Sequence, residues 1–171
     1  WNIHVSNGTA IRYIQLFDYS QLGRVECNRG VSGIDGSTST AIGASLCFDG
    51  TTLLITGDMS AQYDMGALAF NEIPTRFKMV VLNNSGGGIF RFIGTTAALE
   101  ERERCFAADV RLPLRQLADG FGFAYYRAES AGDFRRVFAS FRYDNSRPAI
   151  LELITPAEIS ADVLKKFFSN K

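Results

Sequence analysis

The chain has 171 residues, is 46% hydrophobic and 21% charged, and balances 18 Lys and Arg against 18 Asp and Glu. That length suits one domain with a real core, and the charge balance gives no sign of a nucleic-acid or membrane partner. No stretch is long and apolar enough to span a bilayer as a helix. Cys27, Cys47 and Cys105 form no C-x-x-C pair, so neither a zinc site nor a disulfide framework is indicated, and reduced thiols in a cytoplasmic protein are expected. The chain opens at Trp1, almost directly in strand-like sequence, and residues 1–171 are expected to be a single domain of a longer protein.

Apolar strand-like runs alternate with helical patterns along the whole chain. This predicts an α/β fold: a doubly wound, mainly parallel sheet of about six strands with helices on both faces. The first strand is placed near Ile3-His4-Val5, with His4, the only histidine, in a structural role. Its helix carries Ile11, Ile14 and Phe17 near helical spacing. A short strand at Val25-Glu26-Cys27 leads into a glycine-rich loop over 28–36, and small residues over 37–46 predict a helix able to pack close to the sheet. The strand Leu53-Leu54-Ile55-Thr56 is followed by a helix over about 61–72, with Pro74 as its stop signal. The next strand is Phe77-Lys78-Met79-Val80-Val81.

Residues 91–111 are the least regular and are expected to form a flexible lid. Within them the run Glu100-Glu101-Arg102-Glu103-Arg104 mixes signs and reads as a solvated helix face. A helix near 114–118 and a strand at Phe123-Ala124-Tyr125-Tyr126 follow. Ser130 and Asp133 have the spacing of a capping box for a helix carrying Phe134, Val137, Phe138 and Phe141. Pro148 opens the last strand, Ala149-Ile150-Leu151-Glu152-Leu153-Ile154, where a missing N–H is tolerated. A terminal helix carries Val163, Leu164, Phe167 and Phe168.

Two segments carry the chemistry. Gly57-Asp58-Met59-Ser60 and Leu82-Asn83-Asn84-Ser85-Gly86-Gly87-Gly88 each follow a buried-strand pattern. A carboxylate and an amide therefore sit at the carboxyl ends of two parallel strands, the edge where open α/β sheets bind ligands. Asp, Asn and an exposed glycine carbonyl are hard oxygen donors suited to Mg²⁺ holding a phosphate-bearing group. Either segment alone reads more readily as a strand-ending turn, but the two together at this spacing favour the ligand-binding reading. Ser60 reads as a helix N-cap, a phosphate contact, or both. The loop Asn28-Arg29-Gly30-Val31-Ser32-Gly33-Ile34-Asp35-Gly36 permits close backbone approach to a ligand but does not fit G-x-G-x-x-G. On their own, Arg12 and Arg29 read as surface salt bridges and Ile34 as a core residue.

The Gly57-Asp58 start closed by Asn83-Asn84 resembles the thiamine-diphosphate signature, with Met59 where most members have a second glycine. Three motifs together sharpen the resemblance: the 28–36 loop, Gly57-Asp58-x-Ser60-Ala61-x-Tyr63-Asp64, and Asn83-Asn84-x-Gly86-Gly87-x-Ile89-Phe90. Over essentially its whole length the chain resembles the diphosphate-binding C-terminal domain of the 2-succinyl-5-enolpyruvyl-6-hydroxy-3-cyclohexene-1-carboxylate synthase family, and Glu101-Arg102-Glu103-Arg104 adds to the match.

The resemblance implies a set of roles. Asp58, Asn84 and the Gly86 carbonyl would bind Mg²⁺ or Mn²⁺. Ser32, Gly33, Ile34, Gly57, Met59 and Ser60 would contact thiamine diphosphate, with Ile34 propping the cofactor into its bent shape. Arg12 and Arg29 would hold substrate carboxylates, and Ile89, Phe90 and Ile93 would form the apolar wall. Gly8 stands where some members have a serine near the cofactor. The implied reaction is decarboxylation of 2-oxoglutarate and 1,4-addition of the remaining succinyl unit to isochorismate, a transferase step of menaquinone biosynthesis. The activating glutamate belongs to an N-terminal pyrimidine-binding domain, so the implied partner is that domain within a homo-oligomer, and this chain alone is expected to be inactive. The competing readings are another thiamine-diphosphate carboligase of the acetolactate-synthase kind, and a non-catalytic nucleotide- or phosphate-binding module.

Overall fold

A computed structural model describes residues 1–18, 20–22, 24–109 and 111–169, apart from the side chains of Leu22 and Glu158. Six strands form one sheet: β1 (Asn2–Val5), β2 (Val25–Glu26), β3 (Thr52–Gly57), β4 (Phe77–Asn83), β5 (Ala124–Ala128) and β6 (Ala149–Ile154). Their order is β2-β1-β3-β4-β6-β5, and every neighbouring pair is parallel. The chain runs outward from β1 to β2, then returns to place β3 on the other side of β1. The strand order therefore reverses between β1 and β3, and a crevice opens outside their carboxyl ends.

Period-two alternation sends side chains to opposite faces of this sheet. On one face Leu54, Phe77, Met79, Val81 and Ile150 pack against α2 (Ser37–Leu46), α3 (Asp58–Tyr63) and α6 (Leu114–Gly120), through Ala41, Ile42, Ala61, Leu114 and Ala118. On the other, Leu53, Val80 and Leu151 meet Phe134, Val137, Phe138 and Phe141 of α7 (Ala131–Tyr143). Farther along that face Ile3, Val5, Ile55 and Leu82 cover Ala10, Ile11 and Ile14 of α1 (Thr9–Ile14). The fold is thus the doubly wound parallel α/β arrangement expected. Among the described residues no helix is long and apolar enough to cross a membrane.

Local chemistry explains where the elements differ from expectation. Helix α1 ends at Ile14, and Leu16 and Phe17 donate to carbonyls only three residues back, a 3₁₀ tightening that rotates Phe17 off the buried stripe to 71% exposure. The helix after β3 begins at Asp58, stops at Tyr63, and gives way to a 3₁₀ turn over Met65–Ala69. The Asp64 carboxylate leaves that helix to accept from the Ser39 backbone N–H (2.7 Å) and hydroxyl (3.0 Å). Gly36, at the N-cap of α2, has no side chain to meet that orphan donor, and Asp64 does so from another element. The Ser130 hydroxyl accepts from the Asp133 N–H at 3.1 Å, as the capping-box spacing implies.

The 91–111 stretch carries regular turns. After α4 (Ile89–Phe92) come α5 (Gly94–Ala97) and a π-helical turn over Arg102–Ala107; Val110 lies outside the described residues. Glu103, read from sequence as part of a solvated face, is the partner of the buried Arg91. The terminal helix, α8 (Ala157–Ser169), buries Leu164 and leaves Val163 59% exposed.

Candidate active site

The edge of β3 supplies a carboxylate. Gly57 is still extended, and Asp58 starts α3 with only 1% of its surface exposed. Asp58 Oδ1 accepts from the Met59 N–H and Oδ2 from the Gly86 N–H, both at 2.8 Å. Burial pushes its carboxyl above the usual range, opposed by the backbone N–H groups of Gly86, Met59, Asn84 and Ser85.

The edge of β4 supplies neutral oxygens. Asn84 is 5% exposed and its Oδ1 has no hydrogen-bond partner among the described residues. Ser85 and Gly86 both have positive φ, 58° and 126°. At Gly86 a Cβ would overlap the carbonyl oxygens of Ala107 and Ala108, so only glycine lets the loop lie against the π-helical turn. The Gly87 N–H donates to the Ala107 carbonyl at 2.6 Å and closes that contact.

The glycine-rich loop arches over the same edge. Ser60 is the third residue of α3 rather than its N-cap, and its hydroxyl donates to the Ile34 carbonyl at 2.5 Å. The residue thus ties the loop to α3, which corrects the N-cap reading. Arg29, on this loop, donates from Nη1 to Asn7 Oδ1 at 2.7 Å, and Arg12, on α1, donates to Gln15 at 3.2 Å. Among the described residues neither arginine pairs with a carboxylate, so the surface-salt-bridge reading of both is replaced by two cations held by neutral acceptors.

These elements enclose a cavity of about 810 Å³. Asp58, Asn84 and Gly86 line it, as do Ser32, Gly33, Ile34, Gly57, Met59 and Ser60, Arg12 and Arg29, and Ile89, Phe90 and Ile93. Every residue singled out from the sequence for a site role is therefore brought to one crevice. The thiamine pyrophosphate enzyme family's model of the C-terminal TPP binding domain matches residues 8–153.

The chain belongs to that family.

The 2-succinyl-5-enolpyruvyl-6-hydroxy-3-cyclohexene-1-carboxylate synthase of Porphyromonas gingivalis is 43% identical over 98% of this chain, and those of Christiangramia forsetii and Flavobacterium psychrophilum are 40% and 42% identical over 98%. The matches cover 29%, 29% and 30% of those proteins, so the chain spans less than a third of the curated relatives it matches.

The donor set of this TPP-binding domain fits a divalent cation in company with an anion. Among the described residues no group of three His, Cys, Asp or Glu gathers anywhere. One carboxylate, an unpartnered buried amide oxygen and a loop carbonyl are hard donors, but they carry a single negative charge. A bound diphosphate would supply the remaining oxygens and charge.

Sequence reasoning missed several residues of the domain's site. Asn7, Thr9 and Phe92 line the cavity, and α8 contributes Phe168, whose ring lies 5.8 Å from that of Phe92. Arg91, 7% exposed, donates to the Asn84 backbone carbonyl at 3.3 Å. Asn83 joins the Glu152 carboxylate at 2.6 Å and accepts from the Ser85 N–H at 3.2 Å. The available signals were an arginine inside the apolar run Ile89-Phe90-Arg91-Phe92-Ile93 and a glutamate inside the last strand.

Proposed function

We propose that this chain holds the diphosphate of thiamine diphosphate and its Mg²⁺ (or Mn²⁺) in a 2-succinyl-5-enolpyruvyl-6-hydroxy-3-cyclohexene-1-carboxylate synthase. The whole protein would be a cytoplasmic transferase of menaquinone biosynthesis that decarboxylates 2-oxoglutarate and joins the succinyl unit to isochorismate by 1,4-addition. The observation that carries this reading is one cavity holding a buried carboxylate beside an amide oxygen that has no partner among the described residues, together with two arginines that no carboxylate of the described residues neutralises.

Asp58, Asn84 Oδ1 and the Gly86 carbonyl would hold the metal. Ser32, Gly33, Gly57, Met59 and Ser60 would lie along the cofactor, and Ile34, fixed through its carbonyl by Ser60, would support the cofactor's bent shape. When bound, thiamine diphosphate supplies the electron sink for loss of carbon dioxide. Arg12 and Arg29 would orient substrate carboxylates; guanidinium offers a planar fork matched to them, and both substrates are dicarboxylates. Ile89, Phe90 and Ile93 would keep water from the reacting centre. The activating glutamate would come from the N-terminal pyrimidine-binding domain, in a homo-oligomer, and the isolated chain would be inactive. Two unneutralised arginines in one cavity favour dicarboxylate substrates over the pyruvate of an acetolactate-synthase-like enzyme, and over a non-catalytic phosphate-binding module.

The deciding experiment supplies the whole protein with thiamine diphosphate, Mg²⁺ and isochorismate, and compares 2-oxoglutarate with pyruvate as donor. The reading expects carbon dioxide release and ligated product with 2-oxoglutarate. Turnover of pyruvate without turnover of 2-oxoglutarate would sink it.

A further inference from the structure

Asn7 stands two residues beyond β1, is 4% exposed, and lines the cavity. Its carboxamide uses every hydrogen-bonding position it has. Nδ2 donates to the carbonyls of Asn28 (2.8 Å) and Gly33 (2.6 Å). Oδ1 accepts from Arg29 Nη1 (2.7 Å) and from the Cys27 thiol (3.5 Å). One side chain in the turn just after β1 therefore fastens Cys27 and, on the glycine-rich loop, Asn28, Arg29 and Gly33. Two carbonyls facing its nitrogen and a guanidinium facing its oxygen leave the amide a single satisfactory orientation.

The chemistry of the acceptor matters. An amide oxygen directs the guanidinium through one Nη–H without neutralising it, so the full charge and the other N–H groups remain for a ligand. A carboxylate in the same place would take the charge. The loop is also pinned at the peptide units on both sides of Ile34, with the Gly33 carbonyl held by Asn7 from the turn after β1 and the Ile34 carbonyl held from α3 by Ser60.

We propose that Asn7 is a positioning residue, which pre-orients Arg29 toward a carboxylate of a dicarboxylate substrate and keeps that arginine unneutralised. This rests on the reading of Arg29 as a carboxylate-binding residue. Without Asn7 the arginine would sample many rotamers before meeting its ligand, and the ordering would fall on the binding step.

The test uses the whole protein and the variants Asn7→Ala, Asn7→Asp, Arg29→Ala and Asn7→Ala/Arg29→Ala. Asn7→Asp keeps the shape, removes both donors and offers Arg29 a carboxylate, so it serves where the alanine variant does not fold. The proposal expects KM for 2-oxoglutarate or isochorismate to rise about ten-fold or more in Asn7→Ala and Asn7→Asp, with a smaller change in kcat. It expects the double variant to be scarcely worse than Arg29→Ala, because the two residues act as a unit. It also expects faster hydrogen exchange over 28–34 in the cofactor-free Asn7→Ala protein, a readout independent of turnover. If Arg29→Ala raises KM and the Asn7 variants do not, Asn7 is not the positioning residue and the reading of Arg29 stands. If Arg29→Ala leaves KM unchanged, that reading fails and takes this inference with it. A loss confined to kcat or to folding in both Asn7 variants assigns Asn7 a structural role and overturns the proposal.

Discussion

Arg91 and Glu103 form an ion pair between a buried cation and a half-exposed anion. Arg91 Nη2 lies 2.8 Å from Glu103 Oε2, with side-chain exposures of 8% and 53%. Arg91 Nε reaches both carboxylate oxygens at 3.2 Å, and Nη1 donates to the Asn84 carbonyl. The pair therefore spans the loop that carries Asn84 and the π-helical turn whose end packs on Gly86. Its geometry, not its charge count, gives it consequence, because exposed ion pairs contribute little.

Removing Glu103 would leave the Arg91 charge buried with only the Asn84 carbonyl and whatever water enters from the exposed side. Glu103→Ala is expected to cost about 1–3 kcal/mol in denaturant unfolding, and to weaken Mg²⁺-dependent cofactor binding in calorimetry. Glu103→Gln keeps an acceptor and should cost less. Cofactor affinity equal to wild type in Glu103→Ala would show that the two loops are not coupled through this pair.

Asp58 meets backbone donors with both oxygens, so its substitution can be tested by isostere. In Asp58→Asn one oxygen becomes an NH₂ that faces a backbone N–H, and the anion is gone. Saturating wild-type protein with Mg²⁺ and thiamine diphosphate at about 100 times Kd should add about 2.7 kcal/mol of stability, visible as a rise in Tm. Asp58→Asn should show almost none of that rise, and Asn84→Ala an intermediate one. A full ligand-induced rise in Asp58→Asn would remove Asp58 from the proposed metal site.

Lys78 is a cation sealed inside the sheet at 0% exposure, its Nζ donating to the Asp144 carbonyl at the end of α7. Burial lowers its pKa from 10.5, with the nearby Asp144 charge opposing. The folded state thus binds the proton less tightly than the unfolded state. Its contribution to stability is fully present above 10.5 and is lost as pH falls through the lowered folded value. Lys78→Met should remove that slope and be neutral or stabilising near pH 7, since an apolar residue of similar volume often replaces a buried charge without loss. Denaturant unfolding of both proteins from neutral to alkaline pH checks the difference, and parallel curves would contradict it.

The parts of this molecule legible in the sequence are those written in consecutive residues. Leu53-Leu54-Ile55-Thr56 followed by Gly57-Asp58, and Phe77 to Val81 followed by Asn83-Asn84, announce a buried strand and then a polar edge within one short window, so β3, β4 and the loops at their ends could be placed. Asn7 could not, because Ser6-Asn7-Gly8 reads as a turn and its partners lie 20 or more positions away. Glu103 was hidden for the same reason, its partner being 12 positions earlier. Phe17 was misplaced because helical spacing was extended past a 3₁₀ turn, and the helix after β3 because its true start at Asp58 carries no apolar periodicity of its own.

Glu152 anchors the Asn84 loop from beneath. It is 5% exposed on β6, in register with Val81 of β4 on one side and Arg127 of β5 on the other. Its Oε1 accepts from Asn83 Nδ2, and its Oε2 accepts from the Tyr125 hydroxyl, over whose ring the Arg115 guanidinium sits at 4.5 Å. Burial and the adjacent carboxylate push the Tyr125 phenol well above its ordinary range. Glu152→Ala would orphan two partly buried donors at a combined cost of about 1–3 kcal/mol, and would free Asn83, whose Oδ1 fixes the Ser85 N–H at the turn after Asn84. Glu152→Gln can turn its oxygen to Asn83 and donate its NH₂ to the Tyr125 oxygen, so it should retain most of the stability and most of the Mg²⁺ affinity. Without the carboxylate the Tyr125 titration, followed by ultraviolet absorbance, should move to lower pH in Glu152→Gln. Equal losses of stability in the two variants would show that charge rather than hydrogen bonding holds this corner, and an unshifted tyrosine titration would show that the carboxylate does not govern Tyr125.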